Sequence, residues 1–376
     1  MKKLLALTSI ALFLASCSLG KKDAPEGPKE IKIGVIAPLS GAAAAYGQDA
    51  VNAAQMVLDK ANANNGDLSP KFVLVPEDGA CSGQQAVSAV QKLINVDKVE
   101  VIMGGLCSPE TINAGKIAQS KGVAMISALS SAPEVSKIGD HVFRFYNDLD
   151  AARTVAAELK TMNAKKIGAI YINNEYGNSY VQAVDALFDG EIIVNEKINS
   201  EEKDFALLAK KVTKEAPNLD ALLIVIIDES ANVSLIKALD AEGLLKTLKG
   251  KIIGSEAVLT DAILKQVGKL ADGMMSVQFP ELKNLGGKSA DFLAEFKKTH
   301  TVGSSDVFIV LLGEATRLIV DTVNKVGNDG DAIAKSIHAI DKDHLRNGIF
   351  GSYYFDGSDA QALNFVVRTV KDGKLQ

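Results

Sequence analysis

The 376-residue sequence has no tryptophan, three cysteines and four histidines. Three cysteines are too few for a scaffold built on disulfides. His141, His300, His338 and His344 are scattered, and no catalytic partner can be read for any of them. Also missing are an H-E-x-x-H zinc motif, a G-x-S-x-G nucleophile elbow and any metal cluster with ligand spacing. The run from Leu282 to Ser289 ends like a phosphate loop, but Leu282 stands where the first glycine belongs and no strand-like run precedes it. These absences argue against an enzyme, and no cofactor is implied. Positive charge is not in excess: 41 Lys and Arg against 46 Asp and Glu give a net charge of −5. No basic field is available for nucleic acid. Beyond the N-terminus no apolar run reaches the ~18 residues of a spanning helix, and Ala221 to Ile227 is only strand-sized, which excludes a multi-pass membrane protein. What is present is 47% hydrophobic and 23% charged residues, the profile of a globular chain with a sizeable core. At roughly 150 residues per domain, the length suggests two or three domains.

The N-terminus reads as an address. Lys2 and Lys3 precede an apolar stretch from Leu4 to Leu14, followed by the small residues Ala15 and Ser16 and then Cys17. This is the layout of a secretory signal over residues 1–16. Leu14-Ala15-Ser16-Cys17 also resembles the bacterial lipoprotein processing site, which implies cleavage before Cys17 and lipid on its sulfur and amino group. A soluble secreted protein with an incidental cysteine is the alternative. Residues 17–30 are rich in Lys, Pro, Gly and acids and read as a tether.

From Ile31 onward, strand-like runs alternate with helix-like stretches. Strands are expected at Ile31 to Leu39, Phe72 to Pro76, Val99 to Gly104 and Val123 to Ser127, with helices between them. A second series has strands at Lys166 to Ile172, Glu191 to Ile198, Ala221 to Ile227 and Lys251 to Gly254. Such alternation predicts an α/β fold of two doubly wound parallel-sheet lobes. Toward the C-terminus, helices at Ser289 to Thr299, Val307 to Val326 and Asp331 to Ile340 follow one another without strands. Strand-like runs at Gly351 to Phe355 and Asn364 to Val370 then flank the turn Asp356-Gly357. A chain that returns to its first lobe makes a multi-strand hinge, which restricts motion to opening and closing.

The segments PLSGAAAAYGQDAVNAA, EDGACSGQQAV, GGLCSPETINA, ISALSSAPEVS, INNEYGNSYVQAV and GSEAV occur in order at these element boundaries. Together they resemble the leucine/isoleucine/valine-binding proteins, the type I periplasmic receptors of amino-acid ABC importers. The resemblance implies a clamshell, with residues 31–147 plus 280–353 in one lobe and 148–279 plus 354–376 in the other. Ser108, at the start of a helix after a strand, offers a hydroxyl and free backbone N–H groups to an anion; an ordinary helix-capping serine is the alternative. The resemblance implies that Ser108 grips the α-carboxylate of a ligand, that Ser131 contacts carboxylate and ammonium, and that the Leu129 carbonyl meets the ammonium. Glu256 matches the family's ammonium-binding acid, and an ammonium in a closed cleft requires such a counter-charge. Tyr46 and Tyr176, each followed by glycine, match aromatic positions lining the cleft. Cys81 and Cys107 match a family disulfide.

The second lobe departs from the pattern. Asp228 and Glu229 stand where an aromatic is expected, and Leu312-Gly313 where a further tyrosine is expected. With Asp228 counted among the ligand-binding residues, a polar, amide-bearing or cationic ligand side chain becomes plausible. The function implied is a monomeric, lipid-anchored, extracytoplasmic receptor that captures an amino acid and delivers it to ABC permease subunits. A sensor presenting the bound molecule to a membrane receptor is the second reading, and an enzyme on a two-lobed scaffold the third.

Overall fold

The computed structural model describes residues 30–64, 70–199, 202, 204–282, 287–361 and 364–376. The signal segment, most of the tether and Cys17 lie outside these residues. Strands in chain order are β1 Glu30–Ala37, β2 Lys71–Asp78, β3 Val101–Gly104, β4 Ala124–Ser127, β5 Val142–Arg144, β6 Lys166–Ile172, β7 Glu191–Ile198 and β8 Ala221–Val225. They continue with β9 Ile252–Gly254, β10 Met275–Gln278, β11 Arg346–Gly348, β12 Gly351–Asp356, β13 Asp359–Gln361, β14 Val366–Lys371 and β15 Lys374–Leu375. Helices are α1 Ala44–Asn64, α2 Gly83–Lys92, α3 Ser108–Ser120, α4 Asp148–Thr161, α5 Glu175–Leu187 and α6 Phe205–Glu215. The remainder are α7 Glu229–Ala241, α8 Leu244–Thr247, α9 Asp261–Val267, α10 Ser289–Phe296, α11 Asp306–Val326 and α12 Gly330–His338.

The strands form two sheets. One runs β11-β12-β13-β5-β4-β3-β1-β2 and the other β15-β14-β10-β9-β8-β6-β7. Pairing among β1 to β5 and among β6 to β10 is parallel, while β11, β12, β14 and β15 add antiparallel edges. Parallel strands need helical crossovers, which cover both faces and demand apolar residues on both. The first sheet meets that demand by alternation. Ile33, Val35, Val101, Met103 and Ile126 enter one core cluster, while Ile36, Ile102, Met125 and Val142 enter another on the opposite face. Helix starts are fixed locally, since Ser82, Asn147, Asn174, Asp204, Asp228, Thr260, Ser305 and Asp329 each accept an N–H of the first turn.

The two C-terminal runs that flank Asp356-Gly357 lie in different sheets. The turn itself joins β12 to the three-residue β13, with Asp356 opposite Asp359. Because β13 pairs with β5 through Asp359 and Arg144, residues 354–361 stay with the first sheet. The last crossing therefore lies between Gln361 and Val366, not between residues 353 and 354. With Asp359 and Gln361 flanking a single alanine, β13 has no apolar run from which the sequence could place it.

Candidate functional site

Strand order reverses at one place in each parallel sheet, between β1 and β3 in the first and between β6 and β8 in the second. Ligands of open α/β sheets bind at the carboxyl ends of strands at such reversals. Here the two reversals share one cavity. The first lobe gives it Pro38, Ala43 and Tyr46 after β1, Leu106, Cys107 and Ser108 after β3, and Leu129 and Ser131 after β4. The second gives Tyr176 after β6, Ile227 after β8, and Glu256 and Ala257 after β9, and Phe308 of α11 completes the wall.

Both lobes bring a tyrosine in by the same device. A Cβ at Gly47 would lie 2.0 Å from the Pro38 carbonyl oxygen, and one at Gly177 would lie 2.0 Å from that of Ile172. Only glycine lets each helix start sit against the strand end it follows, and that approach carries the preceding tyrosine to the cavity. The Tyr46 ring packs on Phe308 with centroids 5.8 Å apart. Enclosure of the Tyr46 phenol pushes its pKa up, and the nearby Glu256 adds to the effect.

The first-lobe wall is a net of oriented hydrogen bonds. The Ser108 hydroxyl oxygen accepts the backbone N–H groups of Ser131 at 3.3 Å and Ala132 at 3.2 Å, leaving its own proton to donate. Behind this loop Arg144 is buried and donates to the carbonyls of Ser131 at 2.6 Å and Ala132 at 2.7 Å. Asp359 of β13 holds the guanidinium from the other side, at 2.7 and 3.1 Å. Ser127 and Thr111 both donate to the Gly105 carbonyl, at 2.6 and 2.8 Å, tying the β3 and β4 loops together. With its backbone so engaged, Ser131 is only 1% exposed, and its Oγ has no partner among the described residues.

The second-lobe wall is built around one acid. Oε1 of Glu256 accepts the Tyr176 hydroxyl at 3.0 Å, while Oε2 is buried with no partner at normal hydrogen-bond geometry. Burial raises the Glu256 pKa, opposed by hydrogen bonds from its own N–H, from Tyr176 and from Tyr146. A buried carboxylate with an open lone pair favours an incoming cation. Among the described residues no cluster suited to a metal ion occurs.

Residues 30–373 match the sequence profile of a family described as periplasmic binding protein. The chain belongs to this family. Among its relatives, the Leu/Ile/Val-binding protein of Citrobacter freundii is 26% identical over 253 residues, 66% of this chain and 67% of that protein. A Leu/Ile/Val-binding protein of Rhizobium johnstonii is 33% identical over 198 residues, 51% of this chain and 54% of its own. Solved periplasmic binding proteins share the fold. The branched-chain amino acid transporter substrate binding protein of Streptococcus pneumoniae, in complex with isoleucine, superposes with a TM-score of 0.80 at 21% identity, covering 93% of this chain and 98% of that one. A solute binding protein of R. palustris in complex with 4-hydroxybenzoate gives 0.80 at 20% identity, covering 92% and 95%.

Tyr46, Ser108, Leu129, Ser131, Tyr176 and Glu256, chosen from the sequence, all line the cavity. Asp228 does not. Its carboxylate turns into its own helix, accepting the Ala231 N–H and the Ser230 hydroxyl at 2.7 Å each, and its neighbour Ile227 faces the cavity instead. After β8 the cavity wall is thus lined by the apolar Ile227. Cys81 and Cys107 are joined, with their Cα atoms 5.2 Å apart, and Cys107 lines the cavity. Sequence reasoning missed Phe308, which reads as one more apolar residue of a helical face. It also missed Arg144, although a lone arginine inside Val142-Phe143-Arg144-Phe145 was a visible signal of a buried, partnered cation.

Proposed function

We propose that the chain is the extracytoplasmic substrate-binding protein of an ABC importer, anchored through lipid on Cys17, and that it carries an α-amino acid with an aliphatic side chain to the permease. One observation supports this most. Ser131 Oγ has no partner among the described residues, Glu256 Oε2 has none at normal hydrogen-bond geometry, and the two come from opposite lobes to one cavity. Leaving such atoms bare is costly. An α-amino acid satisfies both at once, its carboxylate accepting from Ser131 and Ser108 and its ammonium donating to Glu256. The remaining wall of Pro38, Ala43, Leu106, Ile227, Ala257 and Phe308 suits an aliphatic side chain. Because the polar partners sit on both lobes, the ligand favours the closed arrangement by contacts that an open cleft lacks. A benzoate fits less well, since it brings no cation to Glu256.

Calorimetric titration with L-leucine, L-isoleucine, L-valine and 4-hydroxybenzoate tests the reading. Binding of at least one of the three amino acids, with 4-hydroxybenzoate silent, supports it; the reverse ranking overturns it. The anchor is tested separately: Cys17→Ala should leave binding intact and free the protein from salt-washed membranes.

A further inference from the structure

Directly beneath the Ser108 loop lies an acid that the binding reading does not use. Glu110, in the first turn of α3, is fully buried. Its Oε2 accepts the backbone N–H groups of Leu106 and Cys107, each at 3.0 Å, and its Oε1 accepts that of Cys81 at 2.9 Å. Room for the carboxylate is made by two glycines. A Cβ at Gly79 would lie 2.3 Å from Oε1, and one at Gly105 would lie 2.4 Å from the Glu110 Cβ. The same two loops are joined covalently by Cys81–Cys107.

We infer that Glu110 is a positioning residue of the ligand site, a charged clamp that acts with the Cys81–Cys107 disulfide to hold Leu106, Cys107 and Ser108 against the cavity. Three N–H donors converging on one carboxylate favour the ionised form, because protonation gives up an acceptor position to a proton that needs a partner of its own. Burial raises the Glu110 pKa to about 7, the three N–H bonds oppose the rise, and Asp78, at the end of β2, adds to it. Asp78 is itself held by the N–H groups of Leu39 and Ala80 and the Ser40 hydroxyl. Acidification through that pKa therefore loosens the loop. The effect on global stability has the opposite sign. A carboxyl whose pKa rises on folding, here from 4.5, binds its proton more tightly in the native state, so this group's contribution grows as pH falls from about 7 toward 4.5. A clamp and a merely structural acid are thus separable.

The clamp is independent of the ligand's identity; only its effect on affinity rests on the amino-acid reading. In the intact ¹⁵N-labelled protein, the amide protons of Cys81, Leu106 and Cys107 should titrate together with one midpoint near 7, and should lose that titration in Glu110→Gln. Absence of a shared midpoint in wild type overturns the clamp, whether or not the variant folds. L-leucine affinity should fall about tenfold in Glu110→Gln, and by more than the product of the separate effects when Cys81→Ser and Cys107→Ser are added. Glu110→Asp, which keeps the charge, should recover part of the loss. Equal affinity in wild type and Glu110→Gln, with and without the disulfide, overturns the positioning role. If wild type binds none of leucine, isoleucine and valine, the amino-acid reading fails, while the amide titration still decides the clamp.

Discussion

The two lobes reach the cavity with the same plan and opposite chemistry. Each places a Tyr-Gly step at the helix after its first strand and opens its site where strand order reverses. The first lobe then presents donors whose directions are set by braces: Arg144 behind Ser131, and a disulfide beside Ser108. The second presents a single acid, Glu256, steadied by the Tyr176 hydroxyl and left open on one oxygen. A carboxylate is recognised by the geometry of several weak donors, so its half of the site must be rigid. An ammonium is recognised by charge, which tolerates looser placement.

Perturbing each side separately tests that contrast. The largest effect should come from the first lobe's covalent brace. Removing Cys81–Cys107, which closes a sequence separation of 26 residues, should cost about 3 to 4 kcal/mol of stability in the chain-entropy model, read from denaturant midpoints. Equal stability of the Cys81→Ser/Cys107→Ser protein would leave the first lobe no stiffer than the second. Next in size, Glu256→Gln should weaken amino-acid binding by about 1.5 to 3 kcal/mol in calorimetry while leaving the fold intact. The same acid gives binding a pH dependence of known sign. In the empty site its pKa is raised, and an ammonium at Oε2 favours the ionised form. Affinity should therefore rise with pH through the empty-site pKa and level off above it, with proton release on loading inside that window. Wild type and Glu256→Gln with the same pH profile would remove the charge from the second lobe's role. The smallest effect belongs to Asp228→Asn. Asparagine caps a helix as well as aspartate does, so both stability and the ranking among amino acids should move by less than about 0.5 kcal/mol. A changed ranking would return Asp228 to the pocket.

What could be read from the sequence follows the range of the interactions involved. Lys166–Ile172 and Glu191–Ile198 are legible to the residue, because long apolar or alternating runs report their own burial. Ser108 and Glu256 are legible as residues at strand ends, a local fact. β5, β10 and β13 carry Arg144, Ser276 and Gln278, and Asp359 and Gln361 within three or four residues, so no apolar run marks them and they exist by virtue of their neighbours in the sheet. The position of Asp228 shows a related effect. Asp-Glu-Ser at a helix start is a capping sequence, and which of two adjacent side chains meets the cavity depends on packing that neighbouring residues do not encode. Phe308 reaches the wall only because α11 returns across the molecule.

The place of β13 has a consequence for the order in which the molecule becomes competent. Arg144 holds the Ser131 loop with Asp359 as its counter-ion, and Asp359 belongs to a strand that joins the first sheet only after the chain has laid down the five parallel strands of the second. A polypeptide emerging from its first residue has Tyr46, Ser108 and Ser131 early, but not the brace that aims them. Until residue 359 has arrived, the Ser131 loop has a guanidinium without its counter-ion behind it. The first-lobe side of the cavity is thereby completed by a residue that lies later in the chain than Glu256, the acid of the opposite wall.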